Sequence, residues 1–213
     1  FPQARHPFLF YWWFEYYVPS VLKNINDDLF ISPDGFLSLA TKVKSVNVIH
    51  DLSYLHFPQH IPFLELQYYK MFMPKFLQKA ERIITVSQSS KTDIISQYHI
   101  DANKIDIIPN AVKEIFKPIV QDDIPKVKQQ YSQGCDYFIY VGALQPRKNI
   151  SNLFLSFDKF KNSNHSNTKL LIVGRKAWQT QEMMTTYNNL IYKDDVVFLD
   201  YVPLNNLVKI ISS

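Results

Sequence analysis

A single cysteine, Cys135, stands in 213 residues. That excludes an internal disulfide framework, and the count fits a reducing compartment. Metal-binding signatures are equally scarce. There is no C-x-x-C and no Asp-x-Asp, and the histidines that lie four apart, His56 and His60, flank Pro58 in a loop-like stretch. No metal site and no bound cofactor are therefore expected. No apolar run reaches the ~18 residues of a membrane-spanning helix. The nearest, PFLFYWWFEYYVPSVL, is interrupted by Glu15 and by prolines, and it lacks the flanks and cleavage site of a signal peptide. Two readings stand for it: a buried helix of a large core, or an aromatic face that touches lipid headgroups or a lipid-linked substrate. Charge of one sign is also in short supply. The 23 Lys and Arg exceed the 19 Asp and Glu by only +4 and are scattered, densest at Lys42 and Lys44, so nucleic acid is not an expected partner. Disorder is excluded by an apolar fraction of 46%.

What is present is an alternation. Strand-like runs, DLFIS (28–32), VNVIH (46–50), RIITVS (82–87) and KIDIIP (104–109), are separated by helical patterns. The longest pattern, Ile61 to Ala80, places Leu64, Tyr68, Phe72 and Phe76 on one face and predicts a helix kinked near Pro74. A shorter one covers Ser89 to Tyr98. The βαβ rhythm predicts parallel sheets with right-handed crossovers. Residues 110–125, with Pro118, Pro125 and the pair Asp122–Asp123, break the rhythm and read as a linker. Beyond it come YFIYV (137–141), with the composition of a buried strand, a helix near Asn149–Lys161, KLLIVG (169–174), a helix near Trp178–Ile191, VVFLDYV and a helix from Leu204. The expected architecture is α/β, with two doubly wound units in series, residues 1–118 and 119–213, facing a cleft. The chain opens on Phe1 and closes inside a helical pattern, which reads as a piece of a longer protein with both units incomplete.

In open parallel sheets ligands bind beyond the carboxyl ends of the strands. The residues there are His50 and Asp51, Ser87 to Ser90, Asn110, Gly142 to Lys148, Gly174 to Lys176, and Asp200 to Pro203. VGALQPRKN (141–149) is the densest of these stretches. Gly142 lets the chain leave the strand sharply and brings backbone N–H groups toward a ligand. Asn149 or Ser151 caps a helix whose N-terminus favours an anion. Arg147 offers a bidentate fork and Lys148 a compact charge. A diphosphate has the charge and shape for such a site, although two exposed cations beside a turn are more often simply solvated. Ser87 reads as an N-cap, and the same geometry suits the presentation of backbone N–H groups to a ligand. His50 reads either as a structural histidine held by a carbonyl or as a catalytic or sugar-binding one, and Asn110 by itself reads as a turn residue.

Together these stretches resemble the family-4 glycosyltransferases of the GT-B fold. VNVIHDLSYLHFP, AERIITVSQSSKTDII and KIDIIPNAV are similar to the family's acceptor-domain segments, in the family's order. VGALQPRKN, KLLIVGRKAW and VVFLDYVPLNNL are similar to its nucleotide-sugar domain. The resemblance implies retaining, metal-independent transfer of a sugar from a nucleotide-sugar donor to a glycan or lipid-linked acceptor. It further implies a role in bacterial surface polysaccharide synthesis, in the cytoplasm and at the inner face of the membrane. Lys148 matches the family's phosphate-binding lysine and His50 the histidine near the transferring sugar. Asp51, Ser87, Asn110 and Gly174 fall along the implied cleft. The family's arginine after the loop glycine is here Ala143, and Arg147 stands in for it. Asn110 carries over alone, since the motif around it reads Asn-Ala-Val-Lys. The family's glycine-rich loop would precede Phe1 and its Glu-x7-Glu segment would follow Ser213, so the chain alone is expected to be inactive or nearly so. Competing readings are a nucleotide-sugar epimerase of the same fold and a non-catalytic sugar-nucleotide-binding module.

Overall fold

The computed structural model describes residues 7–25, 27–175 and 181–213. The chain divides into two compact units, Phe1–Ala111 and Val112–Ser213. The first opens with α1 (Pro7–Trp12), a π-helical turn (Trp13–Tyr17) and α2 (Val18–Ile25). It continues with β1 (Leu29–Ser32), β2 (Lys44–Ile49), α3 (Ser53–His56), α4 (Phe63–Lys79), β3 (Arg82–Thr85), α5 (Gln88–Tyr98) and β4 (Ile105–Ile107). The four strands form a parallel sheet in the order β1-β2-β3-β4. Ile49, Ile83 and Ile105 project from it into a core shared with Phe76, Leu77 and Ile94. Thr85, fully buried, donates through Oγ1 to the Ile49 carbonyl at 2.7 Å, so a polar residue inside the sheet is satisfied by its neighbour.

Within α4 the buried positions are Leu66, Tyr68, Met73, Phe76 and Leu77, with Ala80 behind them. The expected stripe was slightly out of phase. Leu64 is exposed, because a strict i, i+4 series drifts around a helix of 3.6 residues per turn and the buried line shifts to i, i+3 and i, i+7. Pro74 lies inside the one helix.

The amino-terminal segment differs more. Trp12, Tyr16 and Tyr17 are exposed, and of the described residues from Leu9 to Ile25 only Val18 and Leu22 are buried. It is therefore not a buried core helix. Its hold on the unit is local. Glu15 accepts the backbone N–H groups of Leu39 and Ala40, both at 2.8 Å, and Phe10 stacks on Phe36 with ring centres 4.9 Å apart. The outer rings stack on each other, Trp12 on Tyr16 and Trp13 on Tyr17.

The second unit comprises α6 (Ile124–Ser132), β5 (Tyr137–Val141), α7 (Ile150–Asn164), β6 (Lys169–Val173), α8 (Gln181–Asn188), β7 (Val196–Asp200) and α9 (Leu204–Ile211). Its sheet is parallel in the order β5-β6-β7. The side chains of β6 alternate between two cores, as period-2 geometry requires. Leu170 and Ile172 pack with Phe154 and Phe157 of α7 and Met183 of α8, while Leu171 packs with Val127 of α6 and Ile210 of α9. Helices thus cover both faces. β5 is not the buried strand its composition indicates. It is an edge of the described sheet, and Phe138 stands half exposed.

Helix α6 has no counterpart among the elements read from the sequence. Pro125, a linker residue by its sequence context, sits in the first turn of α6, where its missing N–H would have had no helical partner anyway. The expected division after residue 118 compares with a break between Ala111 and Val112. Lys117 accepts a hydrogen bond from Ser212 at 3.1 Å, which ties this stretch to the second unit. The expected start of α8 at Trp178, and Lys176 before it, lie outside the described residues.

Candidate functional site

In the second unit, two glycines shape the carboxyl end of the sheet. Gly142 (φ 157°) and Gly174 (φ 149°) follow β5 and β6. The backbones touch: a Cβ on Gly174 would lie 1.8 Å from the Gly142 carbonyl oxygen and 2.7 Å from its carbon. Only glycine fits there. The Gly142 N–H donates to Val173 O at 2.9 Å and the Leu144 N–H to Arg175 O at 3.0 Å. The ladder therefore continues past the ends of the strands, and these two N–H groups face β6 instead of a ligand, contrary to the expectation for Gly142. Gly174 in turn donates to Asp200 O at 2.7 Å, where Asp200 adopts a left-handed φ of 47°.

Pro146, Arg147 and Lys148 form one 3₁₀ turn, closed by Lys148 N–H to Gln145 O and Asn149 N–H to Pro146 O, both at 3.0 Å. Arg147 and Lys148 are exposed, and among the described residues neither forms an ion pair with a carboxylate. Asn149 is left-handed (φ 54°) and makes no side-chain cap, and Ser151 lies inside α7. The expected cap is therefore absent and the first turn of the 15-residue α7 keeps its donors. A pocket of about 180 Å3 beside the turn is lined by Gln145, Asn149, Ser151 and Glu182, without Arg147 or Lys148. Arg175 lies over the ring of Tyr201, 5.2 Å from its centre. That pairing was not legible in sequence, because the two residues belong to different strand–loop units.

In the first unit, His50 is exposed at the end of β2 and its Nε2 lies 3.0 Å from the Pro33 carbonyl. Its own carbonyl accepts from Ser90 Oγ at 3.0 Å. Ser87 caps α5, its Oγ accepting the Ser90 N–H at 3.1 Å. His50, Ser87 and Ser90 are thus brought together by the parallel pairing of β2 with β3. Asp51 Oδ1 accepts the Ser53 N–H at 2.9 Å. His50 and Asp51 line a pocket of about 160 Å3 with Asp34, Tyr54, Glu65 and Tyr69. Asn110 is exposed beyond β4 and does not line it. Asp34, Glu65 and Tyr69 were not singled out from the sequence, because they come from the loop after β1 and from α4. The sole available signal was Glu65, the one acidic residue of α4, one turn before Tyr69.

The electrostatics of this pocket are dominated by burial. Tyr69 is pushed up to about 12, first by desolvation and then by Glu65, Asp51 and Asp34. Tyr54, which is hydrogen-bonded to Tyr98, and Tyr68 are also raised, again with burial as the leading cause. Among the described residues no three His, Cys, Asp or Glu side chains come together in an arrangement able to hold a metal ion. No described helix is long and apolar enough to cross a membrane.

Comparison with known proteins follows the same division. The family model described as Glycosyltransferase Family 4 matches residues 1–114, and that described as Glycosyl transferases group 1 matches residues 122–213. The O-antigen chain mannosyltransferase B of Escherichia coli is 24% identical over 87% of this chain and 49% of its own length. The O-antigen chain mannosyltransferase RfbU of Salmonella typhimurium (strain LT2) is 29% identical over 75% of this chain and 40% of its own. Anabaena Alr3699/HepE, solved in complex with UDP and glucose, superposes with a TM-score of 0.72 at 19% identity, over 92% of this chain and 53% of that one. The chain thus spans about half the length of the curated relatives it matches, or less.

Proposed function

The chain belongs to Glycosyltransferase Family 4, and from that premise we propose that the whole protein transfers a sugar, with retention, from a nucleotide-sugar donor to a growing surface glycan or lipid-linked glycan. The observation that carries this reading is the Gly142–Lys148 loop. Two exposed cations follow a glycine-set exit from β5 and precede the open amino terminus of α7. When a glycosidic bond to a diphosphate breaks, negative charge develops on the leaving oxygen. Lys148, Arg147 and the positive end of the α7 dipole act on that charge more strongly in the transition state than in the ground state. In this reading the cations do the work for which other transferases use a divalent ion, so the reaction is metal-independent. His50 of the first unit is the residue we assign to the transferring sugar, and its ring is held by the Pro33 carbonyl.

The relatives that act on O-antigen chains support a glycan acceptor. The exposed Trp12, Tyr16 and Tyr17 support peripheral contact with the cytoplasmic face of a membrane, where amphipathic rings are stable. The test is a transfer assay with the full-length enzyme, nucleotide-mannose and nucleotide-glucose donors and an acidified lipid extract as acceptor, with and without a strong chelator. Radiolabel in the glycan fraction, undiminished by chelator and in the donor's anomeric configuration, is the expected result. Release of free sugar epimer without transfer would refute it.

A further inference from the structure

Between β1 and β2 the chain runs from Pro33 to Val43 without helix or strand, yet Leu37 and Ser38 are fully buried and Thr41 nearly so. A buried irregular segment cannot leave its backbone groups unpaired. Side chains pair them here. Asn47 Nδ2 donates to the Gly35 carbonyl at 3.3 Å, Ser38 Oγ accepts the Thr41 N–H at 3.2 Å, and Lys79 Nζ donates to the Thr41 carbonyl at 2.7 Å. Glu15 takes the consecutive N–H groups of Leu39 and Ala40, one on each carboxylate oxygen. Bonds to an ionised acceptor are about twice as strong as neutral ones.

Glu15 stands out in its own segment. It is the one charged residue between Pro7 and Leu22, and it lies in the π-helical turn Trp13–Tyr17, a rare geometry that concentrates at functional sites. Phe10 and Phe14 of the same segment stack on Phe36 of the loop, with ring centres 4.9 and 5.7 Å away, and Phe36 stacks in turn on Tyr69 at 5.7 Å. At its other end the loop offers the Pro33 carbonyl to His50 Nε2 at 3.0 Å. A carbonyl only accepts, so Nε2 carries the proton, and in the neutral ring Nδ1 is left as an acceptor. The amino-terminal segment and the His50 ring are therefore joined through one loop.

We propose that Glu15 is a positioning residue for His50. By holding Leu39 and Ala40 it fixes the course of the loop, and with it the Pro33 carbonyl that sets the tautomer and orientation of the ring. The part His50 plays in transfer rests on the glycosyl-transfer reading above; the hold of Glu15 on the ring does not. Glutamine at this position keeps one acceptor oxygen but turns an amide donor toward the second backbone N–H, so it holds the loop only in part. Alanine removes both bonds.

The experiment compares full-length wild type with Glu15→Gln, Glu15→Ala and Ile94→Val. Ile94 is a fully buried residue of α5 outside the loop, and trimming it loosens the core by packing alone. Ring 15N signals are recorded on histidine-labelled protein at a pH where the imidazoles are neutral, with the His50 signals assigned by their absence in His50→Gln. Wild type and Ile94→Val are expected to show His50 protonated at Nε2 alone. Glu15→Ala is expected to show a mixture with the Nδ1-protonated form, and Glu15→Gln a smaller share of it. In the transfer assay Glu15→Ala should lower kcat about tenfold, as remote misplacement of a reacting group can, with affinity for the donor's nucleoside diphosphate unchanged. His50 that stays Nε2-protonated in both Glu15 variants, or becomes equally mixed in Ile94→Val, overturns the assignment. Tautomer mixing confined to the Glu15 variants, with kcat unchanged or with no transfer at all, supports the hold on the ring and counts against the part of His50 in transfer instead.

Discussion

Replacing Gly174 by alanine isolates the closest backbone approach in the second unit. The new Cβ would sit 1.8 Å from the Gly142 oxygen, where real Cβ contacts essentially never fall below 3.0 Å. β5 and β6 would therefore have to part by about 1 Å at a point where the ladder pins them through Gly142 N–H to Val173 O. Overpacking of this kind destabilises by roughly 1–3 kcal/mol. Alanine at a φ of 149° adds about 1–2 kcal/mol of backbone strain. The total, roughly 2–5 kcal/mol, is a large share of the ~5–15 kcal/mol that holds a domain together. Gly134→Ala is the matched control. Its φ is also positive, at 82°, but its nearest neighbour is the flexible end of Gln129 at 3.1 Å, so it carries the strain without the clash. Native-state hydrogen exchange of the β5 and β6 amides in the full-length enzyme reads both variants. Gly174→Ala should lower protection there by at least ~1 kcal/mol more than Gly134→Ala. Equal effects would refute the close-approach argument and reduce Gly174 to an ordinary turn glycine.

Lys148→Ala should lower kcat by roughly the 2.7–4 kcal/mol that single electrostatic stabilisers contribute, and Arg147→Ala by a similar amount if it has taken over from Ala143. Lys148→Ala kinetics within about twofold of wild type would show that the loop does not hold the diphosphate. Cys135→Ala should leave turnover unchanged, since the free thiol is half-buried ahead of β5 and among the described residues no base is paired with it to form a thiolate; loss of turnover in a folded variant would contradict this. The raised tyrosines of the first unit set an alkaline limit. The fold keeps Tyr54, Tyr68 and Tyr69 protonated beyond the ordinary value of 10.0. Their contribution is complete below that pH and is lost as pH rises toward and through 12, because the unfolded chain then holds fewer protons than the folded one. Circular dichroism should show alkaline unfolding in this window, with a shallower dependence in Tyr69→Phe; an identical slope would argue that Tyr69 does not contribute.

Strand positions were legible because β6 is apolar from Leu170 to Val173 and both of its faces are covered, as a central parallel strand requires. β5 shares that composition and yet is an edge, since residue type records what a strand tolerates and not which neighbour lies beside it. The loop bearing Arg147 and Lys148 was visible from a glycine, a proline and two cations in nine residues. The contact that fixes it, Gly142 against Gly174, joins two segments far apart in sequence and has no local signature. Pro125 misled because the same residue marks linkers and first helical turns. The pocket residues Asp34, Glu65 and Tyr69 stayed hidden for a similar reason: each is unremarkable on its own element, and only the packing of α4 against the end of β2 brings them together.

The strand orders β1-β2-β3-β4 and β5-β6-β7 also bear on how the polypeptide matures. Parallel sheets tend to form slowly when their pairings join distant parts of the chain. Here, within each described sheet, every strand after the first hydrogen-bonds to the one synthesised just before it. A nascent chain leaving the ribosome can therefore add β2 to β1, then β3, then β4, without waiting for downstream sequence to complete an earlier pair. The second unit can repeat this after the first has emerged, in keeping with domain-by-domain folding during synthesis. Translation pauses between the two units should thus be tolerated, whereas pauses that hold back α4 should leave the β2 surface uncovered and vulnerable to chaperone capture.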